Sequence, residues 1–247
     1  MATQTTKKTA LITGANKGIG YETARQLGKQ GYLVLIGARD EKRGNEAVGK
    51  LKGEGVNAEF IKLDVTSDAD RTAVAKHLAE HHGGRLDVLI NNAAIAIDGD
   101  AKSSNVSHDV LRKTFEANFF SVIALTQELL PFIRKSDAGR IVHLSSGLAS
   151  LGLHSDPKWP FYNFKPLAYD ASKTAINAFT VHLAHELKDT PIKVNAADPG
   201  WVKTDMGGAG AQLTVEQSVG GMRKVLDSLK PSDTGKFYRY DGSTLPW

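Results

Sequence analysis

The chain has 247 residues, 41% of them apolar, a formal net charge of +4 and no cysteine. That length is ample for a buried core in one large domain or two small ones, and a chain without cysteine forms no disulfide or thiolate metal site, as suits a reducing compartment such as the cytoplasm. Lysines and arginines are interspersed with acids, which argues against nucleic-acid binding, and no run of about 18 apolar residues exists to cross a membrane.

The start, MATQTTKK, is polar and basic with no long hydrophobic region, a pattern that argues against secretion. Short apolar, β-rich runs follow: TALIT (9–13), YLVLIGA (32–38), AEFIKL (58–63), LDVLINN (86–92), RIVHLSS (140–146) and IKVNAAD (192–198), with GKFYRYDG (235–242) as a last strand. Longer helical patterns alternate with them, two of the longest over about 107–131 and 169–188. Such alternation predicts an α/β fold: a doubly wound, seven-stranded, mostly parallel sheet with helices on both faces. No linker rich in Pro and Ser divides the chain, so a single domain over 1–247 is expected.

In sheets of this kind ligands bind beyond the carboxyl ends of the strands. The first exit is TGANKGIG (13–20), where Gly14, Gly18 and Gly20 lie between a strand and a helix. Their missing side chains let backbone N–H groups approach a pyrophosphate at the positive end of the helix. After the second strand comes Arg39, and with Lys17 it puts two cations where a ribose 2'-phosphate would lie, which favours NADP(H) over NAD(H). Asp40 opens DEKRGNEAV and is placed to cap a helix.

Further along, AYDASKTAINAF (168–179) sets Tyr169 and Lys173 one helical turn apart on one face, so phenol and ammonium can reach one small molecule. Taken alone, that spacing also describes a solvated surface pair. The rest of the chain decides between them. TGANKGIG, LDV (63–65), NNAA (91–94), Asn118, SSG (145–147), YDASK (169–173) and PGWVKTDM (199–206) occur in one order, each at a fitting strand end or helix position.

With these motifs the chain resembles the short-chain dehydrogenase/reductase family over nearly its whole length, and is most similar to the carbonyl reductase-like branch. The resemblance implies a Rossmann-type fold and an oxidoreductase that moves a hydride between NADP(H) and a ketone, aldehyde or secondary alcohol. It implies that Gly14, Asn16, Lys17, Gly18, Ile19 and Gly20 hold the dinucleotide, that Asp64 binds the adenine amino group beside the Val65 backbone, and that Asn91 and Ala93 line the cofactor through backbone groups. Ala94 stands where the family usually has glycine. Pro199 and Gly200 would turn the chain under the nicotinamide, with Val202 and Thr204 gripping its carboxamide.

For catalysis the resemblance implies Asn118, Ser146, Tyr169 and Lys173. Tyr169 would donate a proton to the carbonyl oxygen, Ser146 would orient that oxygen, and Asn118 would anchor a water that relays protons toward Lys173. A free phenol has a pKa of about 10, and the neighbouring ammonium together with the cationic oxidised nicotinamide is expected to lower it. Lys173 would also bind the nicotinamide ribose. Asp198 is out of pattern, and a carboxylate so close to the nicotinamide site predicts a partner or a raised pKa.

Substrate class is read from 147–168 and 201–213, which carry Leu148, Leu151, Leu153, Trp159, Phe161, Trp201 and Met206. A long irregular segment in a compact domain is usually functional, and these side chains suggest a roomy pocket for a bulky or aromatic substrate, or else satellite packing or a subunit contact. Two other functions fit: a reductase of carrier-bound 3-oxoacyl groups, and an NADP(H)-sensing protein without turnover. The family's dimers and tetramers pair the two long helices, whose apolar content here allows pairing and also a monomer. His77 with His81, and His182 with His185, have metal-ligand spacing but no evident third ligand, so exposed helix faces explain them and no metal is expected. His143 reads as a core histidine.

Overall fold

The computed structural model describes residues 8–230 and 232–247. Seven strands among them, β1 (Thr9–Thr13), β2 (Leu33–Ala38), β3 (Ala58–Lys62), β4 (Val88–Asn91), β5 (Arg140–Leu144), β6 (Lys193–Asp198) and β7 (Phe237–Arg239), form one sheet in the order β3-β2-β1-β4-β5-β6-β7. Every strand pairing is parallel, so the sheet is more uniform than the expected mostly parallel one. The order reverses between β1 and β4, and in sheets of this kind ligands bind beyond the carboxyl ends of the strands at such a reversal.

Continuous apolar runs make these strands because the sheet is covered on both sides. All five residues of β1 are buried, and alternate ones serve opposite faces: Ile12 joins a core with Ile36, Val48 and Met222, whereas Leu11 joins one with Leu35, Val74, Leu125 and Leu183. The first core lies under α1 (Gly18–Lys29), α2 (Glu41–Gly53) and a late helix, Val215–Ser228. Under the second pack α3 (Asp68–His81) and two further helices, Ser121–Ile133 and Leu167–Glu186. Each fully buried Leu or Ile contributes about 1.5–3 kcal/mol relative to exposure.

Caps set several helix starts. Asp40 accepts from Arg43 N at 2.9 Å, Ser67 caps α3, and Thr214 and Gln217 close a capping box on Val215–Ser228. The helix expected over 107–131 is not uniform: α4 (His108–Phe115) passes through a π-helical turn, Glu116–Phe120, into α5 (Ser121–Ile133). Residues 147–167 are also less irregular than expected, with a 3₁₀ turn at Gly147–Ala149 and the short α6 (Leu151–His154). Then come α7 (Leu167–Glu186) and α8 (Val215–Ser228).

One expectation needs correction here. His77 does not lack further ligands, because Glu59 of β3 and His82 both face it. Among the described residues no helix is long and apolar enough to cross a membrane.

Candidate active site

At the exit of β1 the chain turns through Gly14 and Gly18 at φ 64° and 56°, the left-handed region that favours glycine. Space is as restrictive as angle. A Cβ on Gly20 would stand 2.6 Å from Asn92 Nδ2 and 2.7 Å from the Gly14 carbonyl oxygen. The Thr13 hydroxyl ties this turn to the exit of β4, accepting from Asn92 N at 3.0 Å and Ala93 N at 2.9 Å, while Asn92 Nδ2 donates to Thr13 O at 2.7 Å. Asn92 thus braces the glycine turn, a role sequence reasoning missed although the NN doublet stood in plain view. The Asn91 side chain is committed to the core, donating to Thr126 Oγ1 at 3.1 Å and facing His143 Nδ1 at the same distance, which leaves its backbone for a ligand.

Beyond β2, Arg39 is exposed and Asp40 is used as the α2 cap, as expected. Asp64 accepts from Thr66 N at 3.0 Å and Thr66 Oγ1 at 2.8 Å. Burial pushes its carboxyl up, but the Thr66 donors and the Arg39 charge outweigh that and hold it below the usual range. Asp64 is therefore both a turn residue and a neighbour of Arg39. Lys17 is not free: its ammonium pairs with Asp205 from the loop after β6, and both side chains are largely exposed. An exposed pair of this kind exchanges readily with a stronger anion.

That loop folds back over the glycine turn. A Cβ on Gly18 would meet Thr204 Cγ2 at 3.5 Å. Gly200, at φ 75°, turns the chain, Pro199 O accepts from Ser218 Oγ at 2.6 Å, Val202 bridges to Leu213, and Thr204 Oγ1 accepts from Gly207 N at 3.1 Å. Asn16 and Ile19 belong to the same glycine turn and helix start. Val65 O is taken by Arg71 Nη1 at 2.7 Å.

Between β5 and α7 the residues of the YDASK and SSG motifs meet. Ser146 Oγ caps the 3₁₀ turn by accepting from Leu148 N at 3.2 Å and lies close enough to the Tyr169 phenol to pull its pKa down. Ser145 is turned inward and donates to Asn177 Oδ1 at 2.7 Å, so of the two serines only Ser146 faces Tyr169. Lys173 Nζ donates to Leu144 O at 2.8 Å and lies 5.8 Å from the centre of the Tyr169 ring. The helix start that carries Tyr169 is held by a distant residue: Asp98 accepts from Ala168 N at 2.6 Å and Tyr169 N at 3.2 Å.

Asn118 sits in the π turn, fully buried. Its Oδ1 accepts from Ile95 N at 2.8 Å, and its Nδ2 donates to Ile95 O at 2.8 Å and to Ser172 Oγ at 3.1 Å. The side chain does not bond its own helix, the plainer alternative for such an asparagine. Both amide hydrogens are engaged, so Asn118 joins the β4 exit to α7, and a water could be held there only through remaining acceptors such as the Ile95 carbonyl.

An aromatic row runs beside Ser146. Trp159 meets Phe161 edge-on at 5.4 Å, and Phe161 meets Trp201 at 5.8 Å and 90°. The row starts at the neighbour of Ser146, since a Cβ on Gly147 would lie 3.6 Å from Trp159 Cζ2. Trp201 Nε1 donates to Gly207 O at 2.8 Å, and Leu151, Trp201 and Met206 are exposed. Segments 147–168 and 201–213 are thereby joined through Phe161 and Trp201.

A family model of the short chain dehydrogenases matches residues 8–212. The chain belongs to that family. It is 33% identical to carbonyl reductase [NADPH] 1 of Mus musculus, over 96% of this chain and 98% of that protein. Among solved structures, an NADPH-bound carbonyl reductase from chicken fatty liver superposes with a TM-score of 0.88 at 31% identity, covering 98% of this chain and 99% of that one. The carbonyl reductase Sniffer of D. melanogaster superposes with 0.86 at 30% identity, covering 98% and 100%.

The electrostatics of this short-chain dehydrogenase correct one expectation. The Tyr169 phenol is pushed up, not lowered, by burial first and then by the charge of Asp198, with Ser146 pulling the other way and Asp170 adding to the rise. Lys173 does not offset this, because its ammonium is directed at the Leu144 carbonyl and burial lowers its own pKa to about 8. The phenol is accordingly neutral and able to donate. Asp198 meets its expectation twice over. Its Oδ1 accepts from Gly200 N at 3.0 Å, Gly147 N and Arg239 also favour its charged form, and burial nevertheless raises its pKa. His143 is wholly buried and neutral, its pKa pushed down to about 3 by burial and then by Lys173.

Proposed function

We propose that this short-chain dehydrogenase is an NADP(H)-dependent carbonyl reductase in which Tyr169 is the proton donor, Ser146 orients the substrate oxygen, and Lys173 and Asn118 support them. The observation that carries this reading is the closeness of the Tyr169 phenol to Ser146 beside a buried Lys173, at strand exits that face a glycine turn in which Gly20 has no room for a Cβ.

The residues present fit a dinucleotide. Gly14, Asn16, Lys17, Gly18, Ile19 and Gly20 offer backbone donors at a helix start, with Arg39 and Lys17 for a 2'-phosphate, Asp64 and Val65 for adenine, and Asn91 and Ala93 along the crevice. Pro199, Gly200, Val202 and Thr204 form the far wall. When bound, NADPH supplies the hydride. The chain's own residues do the rest: Ser146 and Tyr169 hydrogen-bond the carbonyl oxygen, stabilise the negative charge that develops there, and Tyr169 passes its proton to it. Lys173 brings a cation near the site and orders the end of β5 through Leu144. The NADPH named for the mouse relative and held by the chicken structure supports the choice of cofactor.

The substrate site is formed by 147–168 and 201–213, and the row Trp159, Phe161, Trp201 suits a bulky or aromatic ketone or aldehyde. The test is to follow absorbance of the reduced nicotinamide with NADPH or NADH and ketones graded in size. NADPH and the larger aryl ketones are expected to give the higher kcat/KM, and Arg39→Ala to raise KM for NADPH about ten- to hundredfold, as loss of charged hydrogen bonds predicts, with little change for NADH. A preference for small aliphatic ketones rules out the pocket assignment, and an Arg39→Ala enzyme with unchanged cofactor preference rules out the phosphate contact.

A further inference from the structure

Away from the active site, at the amino-terminal end of β3 and the carboxyl end of α3, three side chains converge. His77 Nε2 lies 3.0 Å from Glu59 Oε1, His82 Nε2 lies 3.4 Å from Glu59 Oε2, and the two ring nitrogens are 3.1 Å apart. All three residues are partly buried.

Protons alone serve this triad poorly. Each neutral ring can carry one proton on Nε2 or none. With the carboxylate ionised, protonating both Nε2 atoms sets two N–H groups face to face across 3.1 Å. Protonating only His77 leaves His82 Nε2 and Glu59 Oε2 as two acceptors 3.4 Å apart, and protonating only His82 leaves His77 Nε2 and Glu59 Oε1 as two acceptors at 3.0 Å. Every placement leaves one close pair mismatched. A cation at the centre takes a lone pair from each atom and removes the conflict.

The dimensions agree. A tetrahedral ion with bonds of about 2.0–2.1 Å sets its ligands roughly 3.3–3.4 Å apart; the two ring nitrogens are 3.1 Å apart, each lies 3.0–3.4 Å from a different oxygen of the one carboxylate, and one ligand atom from each residue falls within 4.8 Å of the others. We propose that Glu59, His77 and His82 bind a divalent transition-metal ion of the zinc type, stapling β3 to the end of α3. Two imidazoles and one carboxylate are a zinc-type set, whereas calcium and magnesium seek oxygen ligands alone. The fourth position is left to water or to His81, whose ring centre is 4.7 Å from that of His77. Glu59 and the end of α3 lie at the opposite end of the strands from Ser146 and Tyr169, so the ion would be structural, stabilising the folded chain by mass action without entering turnover.

The test is titration of the protein, free of any polyhistidine tag, with Co²⁺ and then Zn²⁺. One equivalent of Co²⁺ should bind with the visible absorption of a tetrahedral site, Zn²⁺ should displace it, and Zn²⁺ should raise Tm. Loss of an outer-shell partner typically weakens a metal site about tenfold or more, so removing a direct ligand in Glu59→Gln or His82→Gln should cost at least as much. Both variants should keep the parental metal-free Tm and NADPH-dependent turnover. Absence of saturable uptake by the parent chain, or uptake undiminished in both variants, overturns the proposal.

Discussion

Asp198 and Tyr169 form the pair on which the site's pH response turns. The carboxylate is held by Gly200 N and favoured by the Gly147 backbone under nearly complete burial, and its charge raises the phenol's pKa. In the proposed mechanism alcohol oxidation, the reverse reaction, uses the tyrosinate as base and so should be active above that pKa. Replacing Asp198 with Asn keeps an acceptor for Gly200 N and removes the charge. The pKa of the phenol should then fall, and the acidic limb of the kcat–pH profile for oxidation should move to lower pH. A limb that stays put or moves upward contradicts the assignment. Asp198 was visible in the sequence as a residue needing a partner, but the direction of the Tyr169 shift was not. Lys173 one turn away promised a lowering, whereas burial and the charge of Asp198 come from elsewhere in the fold and, with that of the adjacent Asp170, prevail.

Helix α7 shows what a single element owes to distant sequence. Its start carries Tyr169, yet Pro166 before it makes no side-chain cap, and the capping carboxylate is Asp98. Nothing local announces a cap 70 positions away. Loss of a capping side chain costs about 0.5–2 kcal/mol, so Asp98→Ala should lower stability by about that much in urea denaturation and lower kcat as well, because the helix turn that positions the phenol loosens. Asp98→Asn retains an acceptor and should be milder on both measures. Equal stability of the two variants contradicts the capping role. The π turn in the preceding long helix was equally hidden, since it accompanies the bonds from Asn118 to Ile95 and Ser172, and those partners lie on other elements. By contrast the α2 cap was legible, because Asp40 and the Arg43 amide are three positions apart.

Across the whole molecule, the parallel sheet brings the exits of β1, β4, β5 and β6 to one edge, and that convergence makes scattered motifs into a site. This much could be read from alternating apolar runs and helical patterns, because burial on both faces demands them. Pairings between remote segments could not. Asn92 against Gly20, Lys17 with Asp205, and Glu59 facing His77 each depend on how the layers stack. The account rests on Tyr169 as the proton donor at this shared edge. Its most direct test is single-turnover reduction of a ketone by Tyr169→Phe saturated with NADPH, with nucleotide binding followed by fluorescence. General-acid catalysis contributes about 10²–10⁴-fold, so the rate should fall by at least about a hundredfold while nucleotide affinity is kept. A folded, NADPH-binding Tyr169→Phe enzyme that reduces the ketone at the parental rate would contradict it.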